Sequence, residues 1–137
     1  MTAIDHHAAL IYIMVTVSAA DGRMPDNELH AIGDIVRNFP IFRDFDENNL
    51  IGVAQECARA LNADGNGLQN VLKLAREALP EHLRETGYAC AVEVAAADDR
   101  INREEMRALE LIRHGLHVDR LVAAAIERAA QARHARA

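Results

Sequence analysis

Residues 15–29 read VTVSAADGRMPDNEL, and residues 92–106 repeat the pattern as VEVAAADDRINREEM. The two stretches align without gaps at an offset of 77 positions (98 − 21), so Asp21 matches Asp98. The Arg two places later and the Glu seven places later also recur. A repeat at fixed spacing indicates that one supersecondary unit occurs twice in the chain.

Each copy has the pattern of an apolar helix, a tight turn and a second, amphipathic helix. Residues 8–20 carry no charge, and residues 88–97 are interrupted only by Glu93. A helix that is apolar on all sides is typical of a protein core. We therefore expect the first helix of each copy to lie at the centre, with the two packed side by side.

Helical spacing of apolar residues, punctuated by Gly, Pro and Asp, predicts seven helices and no strand. The expected ranges are about 3–20, 26–38, 46–61, 68–79, 80–97, 102–115 and 118 into the tail. The fold class is thus all-α, with two helix–turn–helix repeats related by a pseudo-twofold axis and two intervening helices. Residues 1–137 form one domain, whose Ala/Arg tail is expected to fray from about residue 128.

Composition excludes several classes of function. The net charge of −6 argues against nucleic acid, which requires a basic surface. No apolar segment is long enough to insert into a membrane, and no targeting segment is visible. Cys57 and Cys90 stand alone in apolar helical patterns, which is typical of buried thiols and fits a reducing, cytoplasmic location.

The doubled Ala-Asp turn, followed each time by Glu seven residues past the Asp, resembles the TerB (tellurite-resistance B) family over nearly the whole chain. Two positions depart from the family: Asp99 stands where Gly is usual, and Pro25 where a Ser or Asp usually caps the second helix. The resemblance implies an all-helical fold and a link to tellurite resistance and wider chemical stress responses. It also implies shared acidic residues that are suspected of binding a divalent metal.

The acidic residues of the repeat are candidate metal ligands. In each copy the Asp ends one helix and the Glu lies in the first turn of the next, so both reach one small region. A pseudo-twofold axis would bring Asp21, Glu28, Asp98 and Glu105 together, and such a set requires a cation or a bound proton. Carboxylate oxygens suit Ca²⁺, Mg²⁺ or Mn²⁺, and Zn²⁺ if a His joins.

Two other accounts of these acids remain open. Asn102 followed by Glu105 is a capping-box pattern, and Asp in a tight turn satisfies its own backbone. Arg23 and Arg100 lie between the acids and would neutralise them as ion pairs without any metal. Glu93 is expected either to add an oxygen or to be a buried or rim carboxylate.

Other motifs are weaker. Residues 62–67 imitate the start of an EF-hand loop, but position twelve is Lys73, where calcium needs a bidentate Glu. The seven His show no ligand spacing and are expected to be solvated or capping.

The sequence favours a non-catalytic stress-response module that binds a divalent metal through Asp21, Glu28, Asp98 and Glu105. A helical surface would bind a partner protein of unknown identity, and the chain would be a monomer or homodimer. An enzyme is disfavoured because no His ligand set or phosphate-gripping cluster accompanies the acids. The alternatives are a carboxylate-based metal-dependent hydrolase and a pure helical scaffold without metal.

Overall fold

Seven α-helices and three short 3-10 helices account for the regular structure of residues 3–20, 22, 26–63, 65–97 and 101–137, which the computed structural model describes apart from the side chains of residues 26 and 27. The α-helices are α1 (His6–Ser18), α2 (Asp26–Asn38), α3 (Leu50–Leu61), α4 (Gly67–Ala78), α5 (Arg84–Ala96), α6 (Arg103–Gly115) and α7 (Arg120–Arg133). No strand occurs in these residues, so the predicted all-α fold with seven helices is confirmed.

Helix α1 is the centre of the fold. All of its residues from 9 to 18 are buried, because α2, α3, α4, α5 and α6 all pack against it. Its most extensive packing is with α5, as expected from their two apolar runs. Asp5 caps the N-terminus by accepting a hydrogen bond from the Ala8 amide at 2.8 Å.

The two repeats pack on each other reciprocally. The first repeat consists of α1 and α2, and the second of α5 and α6. Helix α6 packs on α1, and α2 packs on α5 to a similar extent. This exchange of partners is what a pseudo-twofold relation between the repeats requires. Helices α3 and α4 cover the other side of α1, and α7 covers α5.

Two helix starts differ from the sequence prediction. Pro80 does not open α5; its extended backbone (ψ 155°) precedes a 3-10 helix at Glu81–Leu83, and α5 begins at Arg84. Asp46 caps a 3-10 helix at Glu47–Asn49, accepting from the Asn48 amide, and α3 follows from Leu50. In both places one tight turn absorbs a change of chain direction before the α-helix begins.

The C-terminal tail remains helical beyond residue 128, where fraying was expected. Helix α7 continues to Arg133, and Ala130 is buried against the body of the domain. Glu93 of α5 forms an ion pair with Arg133 and lies 2.8 Å from His134 Nε2. Glu93 is therefore a rim carboxylate that ties α7 to the second repeat.

His7 differs from the expectation that each His is solvated or capping. It is only 7% exposed, stacks on Phe42, and places Nε2 2.8 Å from the Ile41 carbonyl oxygen. The backbone carbonyl satisfies the ring nitrogen, so a polar side chain is accommodated in an apolar setting.

The two thiols are free and buried, as their sequence pattern predicted. Burial raises the pKa of Cys57 and of Cys90 to about 12. Both are therefore neutral at physiological pH and act as small apolar side chains.

Candidate functional site: a buried glutamate in each repeat

The glutamates of the two repeats occupy equivalent places in the fold. Glu28 is the third residue of α2, and Glu105 is the third residue of α6. Glu28 is 0% exposed and Glu105 is 2% exposed. Fully buried carboxylates are rare in proteins unless they are paired or bind a cation. Two of them at matched positions mark these helix starts as the candidate site.

Glu105 takes part in the capping box that the sequence predicted. Its Oε1 accepts a hydrogen bond from the Asn102 amide at 3.2 Å, and its own amide donates to Asn102 Oδ1 at 2.8 Å. The capping box uses only one of the two carboxylate oxygens. Capping therefore explains the position of Glu105.

The remaining predicted ligands, Asp21 and Asp98, lie outside the described residues, as do Arg23 and Arg100. The convergence of Asp21 and Asp98 on the glutamates therefore stays a prediction. The ion pairs that Arg23 and Arg100 would form in the competing account also stay predictions. Within the described ranges, no group of three or more His, Cys, Asp or Glu side chains is placed to hold a metal ion.

The EF-hand-like segment at residues 62–67 leads directly into a helix. Lys73, at the position of the bidentate Glu, is exposed on α4, and Asp64 lies outside the described residues. Gly67 is the buried first residue of α4, and a Cβ there would lie 2.2 Å from the Leu61 carbonyl oxygen. The glycine permits the close approach of α3 and α4, so packing accounts for it without a bound ion.

A second feature, which the sequence analysis missed, is an open groove of about 880 Å³ between α6 and α7. We call it the α6–α7 groove. Its floor includes Tyr88 of α5, whose hydroxyl donates to Glu127 at 2.5 Å. Burial, and then the hydrogen bond to Glu127, raise the pKa of Tyr88 well above its ordinary value. The available signal was Met106, an exposed apolar residue on an otherwise polar face of α6.

None of the helices, as far as the structure describes them, combines the length and apolar character needed to cross a lipid bilayer.

The fold and the candidate site together define a class: an all-helical domain of two helix–turn–helix repeats with a buried glutamate at the same place in each. The family model described as "Tellurite resistance protein TerB" matches residues 7–133, which is nearly the whole chain. The chain therefore belongs to the TerB family. No curated protein and no solved structure matches it.

Proposed function

We propose that the protein is a non-catalytic stress-response module that binds a divalent cation between its two repeats and presents a helical surface to a partner protein. The observation that carries the metal-binding part is the pair Glu28 and Glu105, which are both buried. Each lies in the first turn of a helix that packs on the first helix of the other repeat. Membership of a tellurite-resistance family supports the stress-response role.

The electrostatic argument rests on the cost of burying carboxylates. Removing an ionised carboxylate from water costs several kcal/mol after relaxation, unless positive charge compensates it. A bound cation would supply that charge. Asp21 and Asp98 would add oxygens from the ends of the preceding helices. The donor set then consists only of carboxylates, which suits Ca²⁺, Mg²⁺ or Mn²⁺ better than Zn²⁺.

The proposed donor set also favours binding over catalysis. Four carboxylates can supply most of the six to eight oxygens that Ca²⁺ takes, which leaves little room for substrate. A catalytic metal instead keeps an open position and is accompanied by a residue that moves protons. The free thiols at Cys57 and Cys90 fit a reducing compartment, so we place the module in the cytoplasm.

The second candidate is a scaffold without metal, and the capping box at Asn102 and Glu105 favours it. In that account Arg23 and Arg100 neutralise the acids locally, and each repeat is a structural unit only. The two candidates differ in one measurable property, which is whether a divalent cation stabilises the folded chain.

We expect the chelator-treated protein to gain thermal stability when Ca²⁺, Mg²⁺, Mn²⁺ or Zn²⁺ is added. A ligand present at 100 times its Kd stabilises the native state by about 2.7 kcal/mol. For a domain of this size that is a rise in Tm of several degrees. The double variant Asp21→Asn with Asp98→Asn should lose the rise, because it removes two of the proposed ligands while keeping their size.

The matched control neutralises two exposed acids elsewhere, Glu77→Gln with Glu81→Gln, and should keep the full rise in Tm. Glu105→Gln is informative because Gln also completes a capping box, so the helix start is kept while a charged ligand is lost. If no cation changes the Tm of the wild-type protein, the scaffold account replaces the metal account.

A further inference from the structure

Helices α6 and α7 form the two walls of the α6–α7 groove. Helices α6 and α7 each pack on α5, and within the described residues they make little contact with each other. The lining extends from Ile101 to Arg113 on one side and from Arg120 to Gln131 on the other. At 1.5 Å per residue each wall is roughly 16–18 Å long, which is about three turns of a helix.

The groove is lined mainly by apolar and small side chains. Tyr88 and Val92 form the floor, and alanines of α7 form much of one wall. Two exposed large apolar residues line the groove: Met106 is 61% exposed and Ile101 is 40% exposed. Clustered exposed apolar side chains of this kind mark a surface that a partner covers.

The charge of the groove is opposite in sign to that of the whole chain. Four arginines line it: Arg103, Arg107, Arg113 and Arg120. Of the three lining glutamates, Glu127 already accepts the hydrogen bond from Tyr88. The other two are Glu104 and Glu110. A hydrogen bond from a neutral phenol leaves the charge of Glu127 in place, so the lining residues sum to +1 (4 − 3) on a chain whose net charge is −6.

Three of the four arginines are available to a partner. The guanidinium groups of Arg103, Arg107 and Arg120 are exposed and make no hydrogen bond or ion pair within the part of the chain that the structure describes. Arg113 instead donates to the Val118 carbonyl oxygen at 3.3 Å. Unpaired arginines beside an apolar strip favour a partner that carries carboxylates on either side of its own apolar strip.

We propose that the α6–α7 groove binds an amphipathic α-helix of a partner protein, with Asp or Glu flanking its apolar stripe. The stripe contacts Ile101, Met106 and the alanines of α7, whose small side chains let a helix backbone approach closely. The flanking carboxylates pair with Arg103, Arg107 and Arg120. This is the helix-in-groove mode of recognition. This proposal rests on the proposed function and specifies the kind of partner protein that would bind. It does not depend on metal binding.

The test uses a synthetic, fluorescein-labelled peptide of about 18 residues, roughly five helical turns, with Leu at i, i+3, i+4 and i+7 and Glu on the flanks. Its counterpart carries Lys in place of every Glu. Binding to the full chain is measured by fluorescence anisotropy. We expect the Glu peptide to bind at least about tenfold more tightly than the Lys peptide, a difference of about 1.4 kcal/mol.

Two variants of the protein locate the binding. Ile101→Glu with Met106→Glu should weaken binding of the Glu peptide at least about tenfold, because charge replaces the apolar lining. Arg103→Glu with Arg107→Glu should invert the preference between the two peptides. The control Arg43→Glu with Arg59→Glu makes the same change in net charge at exposed positions away from the groove and should leave both affinities unchanged.

Three results would overturn the proposal: equal binding of the two peptides, an unchanged preference after charge reversal at Arg103 and Arg107, or loss of binding in the control. Sedimentation of the protein alone is run in parallel. A dimer that Met106→Glu dissociates would assign the groove to a second copy of the chain instead. Because Asp21→Asn with Asp98→Asn should leave peptide binding unchanged, failure of the metal site and failure of the groove are distinguishable.

Discussion

Gly67→Ala is expected to lower the free energy of unfolding by about 3 kcal/mol or more, at or beyond the upper end of the usual range for overpacking. An added Cβ would lie 2.2 Å from the Leu61 carbonyl oxygen and 2.8 Å from that of Ala60. Both obstacles are backbone atoms, so no side chain can rotate away and α3 must separate from α4. Urea denaturation followed by circular dichroism measures the loss.

The matched control is Gly52→Ala in the first turn of α3. A Cβ there meets no atom within 4 Å, so only helix propensity changes. We expect a gain of roughly 0.5–1 kcal/mol, because Ala loses less conformational entropy than Gly in a helix. A change of the free energy of unfolding in the same direction for both substitutions would contradict the close approach of α3 and α4 at Gly67.

Ile13→Ala should lower the free energy of unfolding by about 3 kcal/mol, within the range measured for removing large buried side chains. Ile13 is fully buried in the central helix α1. Its Cδ1 atom lies 3.2 Å from the position that a Cβ would take at Gly87 of α5, so it fills the contact between the two central helices. Truncation leaves a cavity that the packed helices cannot close.

Ile51→Ala provides the control, because this isoleucine is 70% exposed on α3. The same chemical change there should alter stability by no more than about 0.5 kcal/mol. If Ile13→Ala and Ile51→Ala lowered the free energy of unfolding equally, the central position of α1 in the fold would be contradicted. The free energies are compared from urea titrations of both variants under identical conditions.

The repeat made most of the fold predictable. Residues 8–20 and 88–97 lack an amphipathic face, and a helix of that kind must be covered on all sides. This requirement placed α1 and α5 at the centre. The capping box was predictable because its two hydrogen bonds are local, joining Asn102 and Glu105 three residues apart.

Features that depend on contacts between distant segments were not predictable in the same way. The tail from residue 128 has the composition of a fraying helix end, yet Glu93 pairs with Arg133 forty residues later. His7 has no local signal for burial, because Phe42, which covers it, comes from a segment that follows α2. The α6–α7 groove likewise depends on how two helices pack on α5.

The candidate site was predictable from the sequence only in part. The sequence predicted that Glu28 and Glu105 begin equivalent helices, and the structure confirms those positions and shows that both are buried. Burial could not be predicted from the pattern, because a Glu in the first turn of a helix is equally typical of an exposed helix start. The place of Asp21 and Asp98 relative to the glutamates remains a prediction.

The most direct test of the account is the amount of metal bound by the purified chain. After loading with Ca²⁺, Mg²⁺, Mn²⁺ or Zn²⁺ in turn and equilibrium dialysis, elemental analysis gives the number of ions per chain. We predict that at least one of these cations is retained at about one ion per chain in the wild type and in Glu77→Gln with Glu81→Gln. Asp21→Asn with Asp98→Asn should retain none. Retention of no cation by the wild type, or equal retention by the Asp21 and Asp98 variant, would contradict the metal site.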